Sequence, residues 1–372
     1  GTYNDPRKMS KGTNYRVDLN YKIGSHDISV GIDNQSTQDN NDGQAMYSNV
    51  GYAWEYDAVK PGADIIPGQV GGTPSGYFVD QYRYNTVASV AVKQRAQYVE
   101  DKWQVNDRWL LSIGLRNDQF TNYNGAGQPF IDQHRPQWAP RLGATWDVFG
   151  DSTFKVYGNA GRYYLALPNE PALRGASGSY YTRAYYSYDG VDPATGYPIN
   201  PQPLPTVKGP GGEFSADNEF GIAPNPKTVT AKGIKPEYQD EYILGFDKTL
   251  NDDWVYGAKV TYRKLKNAID DFCDIDSIIA KSTNVDNQNW DAISCYLFNP
   301  GRSNDFLVPN TATGGLDTVH TSNADLGFPH LKRSYYALNL HLEHPQGNGK
   351  WWGRVDYVFS RSYGNSEGQV DS

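Results

Sequence analysis

Cysteine, methionine and histidine are scarce in this 372-residue chain, at two, two and six, and no apolar run exceeds the five residues 163–167. Two cysteines cannot build a disulfide scaffold, and Cys273 and Cys295 are not spaced as a zinc-binding pair; their nearness predicts one loop-closing disulfide. A run of five falls far short of the roughly 20 apolar residues that a membrane-spanning helix needs, so no helical span is expected. Residues 1–10 lack the charged start, apolar centre and cleavage site of a secretory leader, which leaves open the export of a chain that has already lost one. Positive charge is short as well: 34 Lys+Arg against 42 Asp+Glu give a net charge of −8. With no basic stripe to displace counterions from phosphates, a nucleic-acid partner is not expected.

Motifs for catalysis are missing too. The six histidines are scattered, and neither a Gly-x-Ser-x-Gly elbow, nor a His-Glu-x-x-His helix, nor a Gly-rich turn leading into a helix occurs, so no enzyme is expected. His341, Glu343 and His344 lie close in sequence, yet on a strand His341 and Glu343 share one face while His344 points the other way. They read as polar lining rather than as a metal centre.

What is abundant is tyrosine, tryptophan and glycine, at 29, 9 and 38 residues. Rings with a polar tip collect where one end of a side chain is greasy and the other wet, as at membrane interfaces and glycan-binding surfaces. Period-two alternation recurs in five pairs of segments joined by very short polar turns. In the first pair Tyr15, Val17, Leu19, Tyr21 and Ile23 alternate with Arg16, Asp18, Asn20 and Lys22; after the turn at residues 24–26, Ile28, Val30 and Ile32 alternate with polar neighbours. The other pairs are 84–103 with 109–116, 138–148 with 154–166, 238–250 with 254–269, and 331–343 with 351–363. About ten strands are predicted, the clearest having Leu338, Leu340 and Leu342 on one face and Asn339, His341 and Glu343 on the other.

Between the pairs lie long polar connections, at 37–83, 124–137, 167–237 and 272–330. Compact soluble domains rarely hold several structureless loops beyond about 15 residues. A transmembrane β-barrel has this asymmetry, with tight periplasmic turns and long extracellular loops. Trp103, Trp109, Trp146, Trp254 and Trp351 all lie beside the short turns, where an aromatic girdle belongs. Charges on the opposite face, including Arg16, Asp18, Arg116, Lys259, Arg263, Glu343, Arg354 and Asp356, would be costly in a closed apolar core, whereas a wet lumen accommodates them. The fold class expected is therefore all-β: a transmembrane antiparallel up-and-down β-barrel.

Several stretches resemble one family. Residues 95–116 (RAQYVEDKWQVNDRWLLSIGLR) resemble a barrel hairpin of TonB-dependent outer-membrane receptors; 139–147 (APRLGATWD) followed by 154–164 (FKVYGNAGRYY) resemble the next hairpin, and 234–246 (IKPEYQDEYILGF) resemble the family's loop-to-strand entry. Residues 161–164, 270–273 and 295–301 are most similar to its Oar-like branch. The resemblance implies a barrel of 22 strands behind an N-terminal plug. No plug is recognisable here and residues 369–372 end in a polar sequence, so residues 1–372 are expected to be one partial barrel domain from a longer polypeptide.

Further expectations follow from the resemblance: a Gram-negative outer-membrane location with loops extracellular, and capture and import of a large or scarce ligand powered by the TonB–ExbB–ExbD system. The implied partners are the protein's own plug, the bilayer with its lipopolysaccharide and an unknown extracellular ligand, and the Oar-like branch adds export as a variant. Two readings stand beside it: a passive outer-membrane channel or surface adhesin, and a soluble aromatic-rich glycan-binding β-protein.

Within the loops, Tyr180, Tyr181, Arg183, Tyr185, Tyr186, Tyr188 and Tyr197 are the candidate ligand contacts, because rigid rings give large contact area at low entropy cost. Asp270, Asp271, Asp274 and Asp276 form the densest acidic cluster. Calcium takes oxygen ligands at such spacing, so a structural calcium ion is a candidate there; no other cofactor is expected.

Overall fold

The computed structural model describes residues 2–46, 50–206, 209–251, 253–284, 295–347 and 349–366. Ten long strands carry the chain: β1 (Met9–Ile23), β2 (His26–Asp42), β3 (Ala88–Asn106), β4 (Trp109–Tyr123), β5 (Trp138–Asp147), β6 (Phe154–Leu165), β7 (Glu237–Leu250), β8 (Trp254–Asn267), β9 (Arg333–His344) and β10 (Gly353–Gly364). Each pairs antiparallel with the next in sequence, giving one continuous meander from β1 to β10. These are the ten segments that alternation picks out, in the predicted order. The sheet is open, since β1 and β10 do not pair with each other.

Turn chemistry explains the tight end. β1 passes into β2 through Gly24-Ser25, where Gly24 takes φ 56°, a conformation that costs glycine nothing. At the next turn the Asn106 side-chain oxygen accepts the backbone N–H groups of Arg108 and Trp109 at 2.9 and 3.0 Å. At the third, the Asp147 carboxylate accepts those of Gly150 and Ser152 at 2.9 and 2.8 Å. The last two turns include residues 252 and 348, which lie outside the described residues, as does the polar end at 369–372.

The sheet is greasy on its convex face. Leu244, Val260, Leu338 and Phe359 stand opposite one another across β7 to β10 and remain 64, 50, 37 and 60% exposed. A continuous apolar surface of this extent needs a non-aqueous cover. Two aromatic rows bound it. Near the turns Trp109 stacks on Trp146 at 5.4 Å, Trp103 on His26 at 5.3 Å, and Trp254 meets Trp351 at 5.6 Å. At the other edge Tyr242, Tyr262, Tyr336 and Tyr363 follow one another at 6.2, 4.8 and 5.8 Å. From Trp254 to Tyr262 a strand rises about 26 Å, or about 20 Å along the normal at a tilt near 40°, close to the hydrocarbon band of an outer membrane.

The buried apolar cores lie mostly in the long connections, and one of them takes in Val90 of β3. Those connections were expected as polar loops, and they are folded. Strands Thr2–Asn4, Gln44–Met46, Tyr77–Asn85, Tyr180–Ser187 and Gln202–Pro203 form the path of a seven-stranded canopy sheet, with Ala53–Ala58 and Glu213–Phe214 attached at its sides. A second module joins Asp270–Phe272 to Tyr296–Phe298 and Asn304–Pro309 to Leu316–Thr321 around a core of Phe272, Ile278, Phe298, Phe306 and Val308. Strand bounds shift accordingly: β1 starts at Met9 rather than residue 15, β2 continues to Asp42, and β3 begins at Ala88 because Tyr84 belongs to the canopy. These added stretches lie outside the apolar band of the sheet, where alternation is no longer required, so the period-two signal disappears.

Candidate functional site

The concave face is a charged wall. At its turn end Lys155, Tyr157, Asp247, Lys259, His341 and Arg354 help line a cleft of about 810 Å³. Arg354 reaches Glu343 on the neighbouring strand at 2.9 Å and Asp356 at 2.8 Å, while Asp247 is shared by Lys155 at 3.3 Å and His341 at 3.5 Å. Higher up, Arg116 joins Asp33 at 3.0 Å and Asp118 at 2.8 Å, and Arg16, Asp18 and Tyr98 form a third group. Two glycines make room for the large side chains: Tyr157 lies across Gly245 and His341 across Gly257, where a Cβ would collide with the rings. His341 and Glu343 therefore face the wet side, and His344 stacks on Trp351 at 4.2 Å on the other, as alternation requires.

Above this wall most of the predicted tyrosines pack against rings of the strands Ala53–Ala58 and Tyr77–Asn85. Tyr181 meets Tyr82 and Tyr84, Tyr186 meets Trp54, and Tyr188 meets Tyr56, each at 5.4 to 5.8 Å. Tyr185 departs from its expected role: it is 6% exposed, packed against Phe78 and Val70, and burial pushes its hydroxyl up to about 12. A ring held in a core cannot meet a ligand. Tyr180 and Tyr197, at 40 and 54% exposed, present open rings.

Arg183 is bound to Asp80 at 2.6 Å and to Glu55 at 2.7 Å and sits over the Tyr82 ring. Asp80, almost wholly enclosed, is pushed up from 3.8 to about 6 by burial, which outweighs the pull of Arg183, with Glu55 and Asp57 adding to the rise. The folded canopy thus keeps a proton that the unfolded chain releases near 3.8, so this contribution to stability is complete below about pH 4 and is lost as pH rises through 6. Amide exchange at Val79 and Tyr185 is expected to slow when pH falls from about 7.5 to about 5, after correction for intrinsic exchange rates. Asp80→Asn should flatten that difference, and an unchanged pH profile in the variant would remove Asp80 as the cause.

Cys273 and Cys295 form the expected disulfide, with Cα atoms 4.2 Å apart and a sequence separation of 22. Closing a loop of this length contributes about 3 kcal/mol in chain-entropy terms. Replacing both by serine should make residues 273–295 the first site of limited proteolysis, with the strands intact; equal cleavage rates in the two forms would contradict a stabilising role.

The four aspartates of the acidic cluster do not converge. Asp270 and Asp271 lie in a strand, Asp274 caps the helix Ile275–Ile279 through the N–H of Ser277 at 3.2 Å, and Asp276 sits in that helix's first turn. Among the described residues the one group with ligand atoms within 4.8 Å of one another is Asp271, Cys273 and Cys295, and both sulfurs are spent on the disulfide.

Two further features were not legible in sequence. Arg174 holds Glu219, whose side chain is fully enclosed, at 2.6 Å, and Asn299 bridges the segment at Lys235 to Ala268 by accepting from one backbone and donating to both. Their partners lie 31 to 64 residues away, and no local pattern points to them.

An open antiparallel meander with a greasy outer face, a charged inner face, tight turns at one end and folded loops at the other defines a segment of an outer-membrane-type β-barrel. The sequence matches the family described as TonB dependent receptor-like, beta-barrel, over residues 1–370, and the chain belongs to that family of receptors and transporters. It is 24% identical over 325 residues to the TonB-dependent transporter Oar of Myxococcus xanthus, covering 81% of this chain and 27% of that protein, so the chain spans about a quarter of this curated relative's length. Among solved structures it is similar to the FrpB iron transporter of Neisseria meningitidis in its apoprotein form (10% identity, 95% of this chain, 36% of that chain, TM-score 0.47). It is also similar to the outer membrane transporter YddB of Escherichia coli (13% identity, 95% of this chain, 33% of that chain, TM-score 0.44).

Proposed function

We propose that this chain is part of the barrel of a TonB-energised receptor in a Gram-negative outer membrane, which captures a ligand at the folded long connections and passes it along the charged wall. The observation that carries this reading is the strict alternation of short turns and folded connections along a sheet with one greasy and one charged face. In this arrangement the canopy and disulfide module face outward, the tight turns face the periplasm, and a plug supplied by the longer polypeptide packs against Arg354, Asp247 and their neighbours. The lipid bilayer and lipopolysaccharide cover the convex face, and TonB with ExbB and ExbD moves the plug.

Single cysteines test both the orientation and the coupling, since both native cysteines are bonded to each other. A membrane-impermeant maleimide should label Thr195→Cys on intact cells and Ser25→Cys only after the outer membrane is opened. Asn339→Cys, on the charged wall, should be labelled faster when TonB and the proton gradient are present. Labelling of Asn339→Cys that ignores TonB would replace the energised receptor by a passive channel.

A further inference from the structure

Three of the long connections meet at a cavity of about 340 Å³ beside the disulfide module. Phe130, Val229 and Leu297 line its apolar side, and all three belong to one packed cluster that also holds Val90 of β3 and Ile269 just past β8, so this side is firmly supported. The Cys273–Cys295 bond closes another side. Three charged groups also line it: Arg174, Asp217 and Asp271.

Their charges do not balance. Arg174 is held from behind by Glu219 through two hydrogen bonds of 2.9 and 2.6 Å, and Glu219 also accepts the Ser179 hydroxyl at 2.6 Å; its side chain has no exposed surface. The guanidinium is thereby neutralised by a carboxylate outside the cavity. Asp217, at 3.1 Å from the same guanidinium, is a second anion on one cation, and Asp271 has no cationic partner among the described residues. Two negative charges are left in excess around an apolar surface with an aromatic ring.

We infer that this cavity binds a primary ammonium or guanidinium group carried on an apolar stem. The stem covers Val229 and Leu297, the cation lies between Asp271 and Asp217, and the Phe130 ring adds the attraction of its face for a cation. The volume is at the small end for ligand pockets, of about 300 to 1,000 Å³, and suits one aromatic or long aliphatic stem. A free amine and the side chain of a lysine or arginine in a peptide share this chemistry. The inference rests on the long connections being the ligand-facing side, but binding by purified protein does not depend on which side of the membrane they occupy, so the two readings can fail separately.

The test is calorimetry on the native polypeptide, purified from outer membranes in detergent, with phenethylammonium as probe and 3-phenylpropionate as its anionic counterpart. Saturable binding of the ammonium is expected, with the carboxylate at least about tenfold weaker. Asp271→Asn should weaken ammonium binding about tenfold, and Val229→Trp, which fills the cavity and leaves every charge in place, should abolish it. If Asp271→Asn lowers the melting temperature, Asp217→Asn takes its place. A lysine tripeptide that binds more tightly than both its norleucine analogue and the free amine would assign the cation to a peptide; equal binding of tripeptide and amine would assign it to a small amine. Equal or tighter binding of 3-phenylpropionate, no change in the Asp→Asn variants, or no saturation of the ammonium would overturn the inference.

Discussion

Val260→Arg is expected to cost about 2–4 kcal/mol of barrel stability, while Lys259→Arg, one residue away on the same strand, should stay within about 0.5 kcal/mol. Val260 is half exposed on the convex face between Leu244 and Leu338, in the band bounded by Trp254 below and the tyrosine row above. A guanidinium there must bend toward the interface or carry water into hydrocarbon. Lys259 stands on the charged wall beside Asn339, where the cost of a cation is already absent. Urea unfolding in lipid vesicles measures both. The contrast between adjacent positions is the informative quantity, because a soluble sandwich would show the opposite ranking or none. Equal effects would remove the assignment of faces.

Arg174→Met is expected to cost about 3 kcal/mol locally, more than the loss of an ordinary surface ion pair. The reason is what remains: Glu219 would keep its enclosed carboxylate with only the Ser179 hydroxyl and no cation. The double variant Arg174→Met, Glu219→Leu should recover most of the loss, since replacing both partners removes the uncompensated charge. Amide exchange at Tyr181, whose N–H is bonded to the Glu219 carbonyl at 3.0 Å, reports the opening. A double variant as unstable as the single one would show that the contact of the Arg174 guanidinium with the Tyr181 ring, and not the stranded carboxylate, is responsible.

The barrel wall was legible because a membrane imposes its requirement residue by residue. Leu338, Leu340 and Leu342 must face lipid and Asn339, His341 and Glu343 must not, which leaves a period of two on the page. The five tryptophans beside the turns were legible for the same reason. The canopy obeys no such rule. In Tyr180–Ser187 the buried residues are Thr182, Ala184 and Tyr185, two of them adjacent, and the partners that bury them come from Tyr77–Asn85 and Glu213–Phe214. Tyrosine enrichment marks a place where rings gather, but which ring is buried and which is open depends on chain far away in sequence. The disulfide was readable from the proximity of its cysteines, whereas the pairing of Arg183 with Asp80, 103 residues apart, was not.

Arg183 and Asp80 also belong to strands that pair across a long stretch of chain. Tyr77–Asn85 lies before β3 and Tyr180–Ser187 after β6, with register from Tyr180 opposite Asn85 to Tyr186 opposite Val79. Four barrel strands are therefore threaded between the two halves of one sheet. Without Tyr180–Ser187, the strand Tyr77–Asn85 keeps one unpaired edge. Such pairing is slow, because loop closure over this distance precedes any reward, and the unpaired edge is open to wrong partners. The canopy is thus a long-range closure: its sheet joins two stretches of chain that four barrel strands separate.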